Sequence, residues 1–258
     1  MNYFLDEVKL RKFAPSIFAD CRASWTSERY EFISTNECLL GLKEAGFLPV
    51  MASQSRTRLK DKIGYTKHMI RLRHRSLQEA GGMVPEIILT NAHDGTSSYQ
   101  LRAGIYRFIC ANGLIIGNEL FCRRVRHQGD VTQKVVASAK DLLKLVPYSL
   151  EMTNLWQLIQ LNDHQKIAYS LEAPKIKWGG EIPIDPEKLL IPSRGQDEGN
   201  DVWTTFNVVQ ENLFKGGLRY RTSKGVKRHT RAIKSIEENV RVNTKLWALT
   251  ENLACLLN

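Results

Sequence analysis

The sequence predicts an α+β fold, with a mostly antiparallel sheet and a short helix first and a helical part after it. Three observations carry this. Period-two alternation and Gly/Asn/Asp turn signals gather in the first half of the chain. Apolar residues spaced by three and four recur from about residue 130 onward. Strands first and helices afterwards is the order of α+β rather than of alternating α/β proteins. The expected division is a sheet region over 1–128 and a helical region over 129–258 packed on it as one continuous globular unit. The 258 residues, 43% of them hydrophobic, suffice for a core without staples.

The elements follow in order. The first 30 residues offer only Trp25 and a turn at Ala14-Pro15. Ser34-Thr35-Asn36-Glu37 has the spacing of a capping box, and Cys38, Leu39, Leu40, Leu42 and Ala45 follow before Gly46 stops a three-turn helix. Strands are expected at 47–56, 63–74, 84–91 and 99–110, with a Gly81-Gly82 break and turns at His93-Asp94-Gly95 and Asn112-Gly113. The chain then stays extended over 114–127. Asp130 caps a helix carrying Val135, Val136, Ala139, Leu142, Leu143 and Val146. Helices are expected at 150–161 and 163–171, then an irregular Pro/Gly-rich connection over 173–200. Asp201 caps a helix with Val202, Phe206, Val209 and Leu213 that ends at Gly216-Gly217. Residues 218–228 read as a basic loop, and Thr230 to Leu257 as one long helix or two joined ones.

Charge is unevenly placed. Against a net +10, residues 56–75 hold eight cations and only Asp61, and residues 215–234 hold eight cations and no acid. The rest of the chain is mildly acidic. Concentrated positive charge suits a polyanion, while a solvated face without function is the plainer reading. From Tyr65 to His74 the odd positions carry Tyr65, Lys67, Met69, Arg71 and Arg73, so a strand with one basic and one half-buried face is expected. That face either contacts phosphates and bases or protects an edge strand from aggregation. The nucleic-acid-binding candidates are Lys67, Arg71, Arg73, Arg107, Arg123, Arg124, Arg126, Lys215, Arg219, Arg221, Lys227, Arg228 and Arg231.

Catalytic motifs are mostly missing. No phosphate-loop, zinc-protease or nucleophile-elbow signature occurs, and five dispersed cysteines without a C-x-x-C pair point to reduced thiols. No catalytic residue, metal or cofactor is assigned, and an enzyme is the less favoured reading. Glu86 with His93 and Asp94 could hold a divalent ion for phosphodiester hydrolysis, or Asp94 could simply bond its own turn. No apolar run reaches the ~20 residues of a membrane span, and Met1 to Arg11 lacks a signal peptide's apolar stretch. No membrane partner and a cytoplasmic setting are expected.

Several separated motifs carry a resemblance. They are His93-Asp94-Gly95-Thr96-Ser97-Ser98-Tyr99, Gly104 to Cys110, Asn112-Gly113-Leu114, Asp201 to Gly217, Thr230-Arg231-Ala232 and Val242 to Trp247. Together they resemble the phage/plasmid-like protein family, a domain-of-unknown-function family of plasmids, prophages and phages, across about residues 30 to 255. Its motif residues here are His93, Asp94, Gly95, Asn112, Gly113, Trp203, Asn207, Gln210, Glu211, Asn212, Gly216, Gly217, Asn243 and Trp247. The resemblance implies a mobile-element protein. In addition, a short helix, an arginine-rich hairpin of strands and a helix at 130 are similar in order to the Rad52-like single-strand annealing proteins, a likeness of topology alone. Trp203 and Trp247 are expected as core anchors, and Asn207 and Asn243 as buried hydrogen-bonding groups. Three functions follow as expectations. The first is nucleic-acid binding, DNA before RNA, with single-strand holding or annealing and possible homo-oligomers. The second is non-catalytic inhibition of a host defence complex, and the third a metal-dependent nuclease.

Overall fold

Alternating residues from Phe47 onward build a six-stranded antiparallel sheet in the computed structural model of the chain. Its strands are β1 (Phe47–Gln54), β2 (His68–His74), β3 (Met83–Asn91), β4 (Tyr99–Arg107) and β5 (Asn112–Ile115), paired in that order. β6 (Cys122–Val125) also pairs with β4. The structure describes residues 4–28, 30–79, 82–108, 112–180, 183–222 and 224–257. Gly81, Ile109 and Cys110, expected at a strand break and a strand end, lie outside them.

Two compact units form, Met1–Val146 and Pro147–Asn258. In the first, helices α1 (Glu7–Phe13), α2 (Thr35–Glu44) and α3 (Val131–Lys144) accompany the sheet. Leu39 and Leu42 of α2 and Val135, Ala139 and Leu142 of α3 bury themselves with Ile70, Leu72, Ile87, Leu89 and Leu101 of the sheet. That shared core carries α3 into the first unit, so the boundary falls after 146. Asp130 caps α3 as expected, accepting from the Gln133 amide at 3.0 Å. The capping box at Ser34 does not form: Ser34 makes no side-chain cap bond, and its hydroxyl donates to the Ala19 carbonyl at 3.4 Å.

The opposite sheet face differs from the basic surface expected at β2. β2 is an interior strand between β1 and β3, so it is no edge. Arg71 is 5% exposed, and its Nε lies 2.7 Å from Oε2 of Glu86 on β3, whose side chain has no exposure at all. That contact is an ion pair by distance and is off the N–H direction of a good hydrogen bond. Arg73 donates through Nε to Oε1 of the same carboxylate at 2.8 Å and lies over the Tyr106 and Phe108 rings. The two arginines therefore neutralise a buried glutamate from the neighbouring strand.

Two motif glycines make room for this arrangement. In the order of the sheet β5 stands three strands from β2, ~14 Å at the usual spacing. Yet the Arg71 guanidinium reaches it and donates to the Leu114 carbonyl at 2.9 Å. A Cβ on Gly113 would fall 1.2 Å from Nη1 of Arg71, and one on Gly104 would fall 2.4 Å from Ile88 and 2.5 Å from the Leu114 carbonyl. Gly113→Ala is therefore expected to expel the guanidinium and destabilise the chain by about 2–4 kcal/mol in urea unfolding. In an Arg71→Met background the same change should cost less than half as much, because the obstructed group is gone.

The second unit holds α4 (Val146–Leu158), α5 (Asp163–Trp178), α6 (Val202–Lys215) and α7 (Ile236–Leu257), with a two-stranded ribbon of β7 (Arg219–Arg221) and β8 (Lys227–His229). Trp203 and Trp247 are core anchors, as expected. Trp247 lies 4.5 Å from Trp156 between ring centroids, and Trp203 stacks on Phe206 at 5.7 Å. Asp201 caps α6 through the Thr204 amide at 2.8 Å. α5 runs seven residues past its expected end at Leu171, straight through Pro174. The proline removes one helix donor. Burial of Tyr169, Ala173 and Pro174 on one face holds the last turns in place.

Candidate nucleic-acid interface

The segment read as a basic loop is an antiparallel ribbon. Arg219 pairs with His229, Tyr220 with Arg228, and Arg221 with Lys227. Every cation on it, and Lys224 at its tip, is exposed. Among the described residues none of Arg219, Arg221, Lys224, Lys227, Arg228 and Arg231 pairs with a carboxylate. Like charges directly opposite each other, as at Arg221 and Lys227, oppose strand pairing. A cleft of about 500 Å³ is lined by the ribbon residues and Lys188, which adds another cation. Strand neighbours two apart stand ~7 Å from each other on one face, a spacing comparable to that of successive phosphates.

The family-motif residues at the end of α6 hold the base of this ribbon. Gly216 has φ +66°, and a Cβ there would come within 2.7–2.8 Å of backbone atoms at 230–232. The close crossing lets the Gly217 amide donate to the Thr230 carbonyl and the Thr230 amide to the Leu218 carbonyl, both at 2.9 Å. Asn212 donates through Nδ2 to the carbonyls of Leu189 and Ile191, both at 3.0 Å. Glu211 is buried between Arg194, at 2.5 Å, and Lys215. Burial pushes its pKa up, but the bonds from Arg194 and Lys215 more than offset this and hold it below the ordinary glutamate value. Lys215 is exposed but paired with Glu211, unlike the ribbon cations. Gln210 donates to Asn243 at 3.1 Å, joining α6 to α7, while Asn207 donates back to the Trp203 carbonyl at 2.6 Å. Lys177 at the end of α5 donates to the carbonyls of Leu213, at 2.5 Å, and Arg231, at 2.8 Å.

The first unit treats its candidates differently. Arg71 and Arg73 are paired with Glu86, Arg107 is buried, and Lys67 is half-buried. Arg123 turns Nη1 onto the carbonyls of Leu120 and Cys122 at 2.7 and 2.9 Å. Arg124 and Arg126 are exposed on and beside β6. The exposed cations of the 56–75 zone are instead Arg56, Arg58, Lys60 and Lys62, between β1 and β2, and Arg75 just after β2. The signal of the first four was that Arg-Thr-Arg-Leu-Lys-Asp-Lys alternates cations with a mixed set that holds only one apolar residue, Leu59, so neither face could be buried. The two basic zones lie in different units.

Three histidines that sequence spacing left unconnected converge under α2. Thr35 Oγ1 stands 3.0 Å from Nε2 of His68 and of His93, and 3.1 Å from Asn91 Nδ2 and the Tyr99 hydroxyl. Ser16 meets Nδ1 of His68, and His127 donates Nε2–H to Asn91 Oδ1, each at 3.0 Å. A hydroxyl offers one donor and two lone pairs, so its four neighbours compete for three bonds. Burial lowers the pKa of His68 to about 3, helped by His93, and that of His93 to about 4, helped by His127. Asp94 bonds its own turn, accepting from the Thr96 amide at 3.0 Å and its hydroxyl at 2.6 Å. Glu86 is five strand residues, ~17 Å, from Asn91 at the other end of β3. Glu86, His93 and Asp94 thus hold separate structural posts, and among the described residues no three His, Cys, Asp or Glu are grouped to bind a metal. No helix among the described residues is long and apolar enough to cross a membrane.

Comparison with known proteins gives the lineage. A family model described as a domain of unknown function, DUF932, matches residues 23–247. The chain is 40% identical over 250 residues to UPF0380 protein YafZ of Escherichia coli strain K12, covering 96% of this chain and 91% of that protein. UPF0380 protein YfjQ of the same strain matches to the same extent. No solved structure matches the chain. The family match runs through both the histidine cluster and the ribbon with its anchors, and the chain belongs to the DUF932 family.

Proposed function

We propose that this protein binds nucleic acid through the β7–β8 ribbon, with DNA as its polymer. The supporting observation is the ribbon itself: cations on both faces, no carboxylate partner for them among the described residues, and a base built from motif residues of the chain. Repulsion between opposed cations is relieved when phosphates come between them, so the free ribbon is poised for a polyanion. Two-stranded ribbons fit a duplex major groove, and a row of cations suits a single strand equally well. The resemblance to plasmid, prophage and phage proteins makes mobile-element DNA the natural substrate, with strand holding or annealing as the activity to assay.

Six ribbon cations contacting phosphates would give a log–log salt slope of about −4 on single strands and about −5 on duplex. Reversing Arg221 and Lys227 together to glutamate should weaken binding more than tenfold and flatten that slope, with no change in the unfolding midpoint. Fluorescence anisotropy over a salt series reads both quantities. Unchanged affinity in that variant would end the proposal.

A further inference from the structure

A second basic feature of the same unit lies against the ribbon's base. α5 and α7 enclose a groove of about 790 Å³ whose lining includes Lys175, Lys177, Trp178, Arg241, Lys245 and Leu249. Ile176, Ala248, Leu249 and the half-buried Trp178 give the lining its apolar part, and Glu172 and Asn252 line it as well. The cations differ in freedom. Lys175 is paired with Glu172 at 2.5 Å and Arg241 with Glu238 at 2.7 Å, while exposed Lys245 has no carboxylate partner among the described residues. Lys177 sits 4.9 Å from the Trp178 ring centroid. Because its ammonium also holds the Arg231 carbonyl at 2.8 Å, the groove begins where the ribbon ends.

We infer that this groove continues the ribbon's track and takes single-stranded nucleic acid, its bases stacked on Trp178 and its phosphates on Lys245 and the rim. Charge complementarity selects a polyanion. The indole beside the apolar side chains of Ile176, Ala248 and Leu249 selects unpaired bases, since every base offers a stacking face and a duplex keeps its faces covered. A duplex engages the ribbon cations alone. The inference rests on the ribbon reading and assigns that site its substrate class.

The test uses the full chain with labelled oligo(dT), oligo(U) and a DNA duplex of equal length. Trp178→Ala is expected to weaken both single-stranded probes at least about fivefold and to leave duplex binding within about twofold, with Trp178→Phe recovering most of the loss. Lys245→Glu should weaken the same probes without touching the indole. If wild type binds in a way that Arg221 and Lys227 control but Trp178→Ala and Lys245→Glu change nothing, the groove is excluded and the ribbon stands. Equal loss on single strand and duplex overturns the single-strand assignment. If wild type binds no probe, ribbon and groove fall together.

Discussion

Glu86→Gln is expected to be the most damaging single change in the first unit, costing about 3–5 kcal/mol. The glutamate's side chain is wholly buried, with Arg71 and Arg73 6% and 15% exposed beside it. Neutralising the carboxylate leaves two guanidiniums facing each other, and Arg71 keeps the Leu114 carbonyl as a neutral partner. Removing one member of a buried ion group strands the rest, which costs far more than the group's net contribution. Replacing Arg71, Arg73 and Glu86 together by apolar residues of similar volume should by contrast be nearly neutral. In a unit of this size the single change corresponds to a melting temperature lower by about 10–15 °C. Differential scanning calorimetry of both variants decides the matter. A loss below about 1 kcal/mol for Glu86→Gln would mean solvated arginines, and would return Arg71 and Arg73 to the phosphate-binding set.

Acid should unfold the first unit early. His68 and His93 have folded-state pKa values of about 3 and about 4, well under the usual histidine value near 6.5. The unfolded chain therefore takes up protons that the folded chain refuses. Stability from this source is complete above pH ~6.5 and falls as pH drops from there toward 4 and 3. Each histidine contributes a slope of about 1.4 kcal/mol per pH unit in that window, so two remove several kcal/mol by pH ~4. Bonding enforces the same outcome. Neutral His68 is bonded at both ring nitrogens, Nδ1 to Ser16 and Nε2 to Thr35, and accepts at one of them; a second ring proton turns that acceptor into a donor and breaks or reverses the bond there. Urea unfolding across this range reads the slope, and imidazole NMR shifts read the sites. Titration of His68 or His93 near pH 6.5 in the folded protein would show the cluster open to water.

Much of the fold was legible because its signals are local. The caps at Asp130 and Asp201 and the strands at 47–54, 83–91 and 99–107 follow from side-chain spacing and short-range hydrogen bonding. The ribbon was visible as charge but not as structure. Its strands are three residues each and depend on Gly216 letting residues 230–232 cross close by. The tryptophans were legible as anchors, since large indoles gain most from burial.

The sequence alone determined the order of elements, the two basic zones and the motif set that marks the family. Only the tertiary structure decided which cations are free. Arg71 and Arg221 look alike in the chain, each two residues from another arginine. One finds a carboxylate on the adjacent strand and a lane between two glycines; the other faces an equal charge and solvent. The same holds for the histidines, which sit 25 and 34 residues apart along the chain yet share the neighbourhood of Thr35. Spacing along a chain encodes helix and strand, but ion pairing and burial are set by neighbours that only folding supplies.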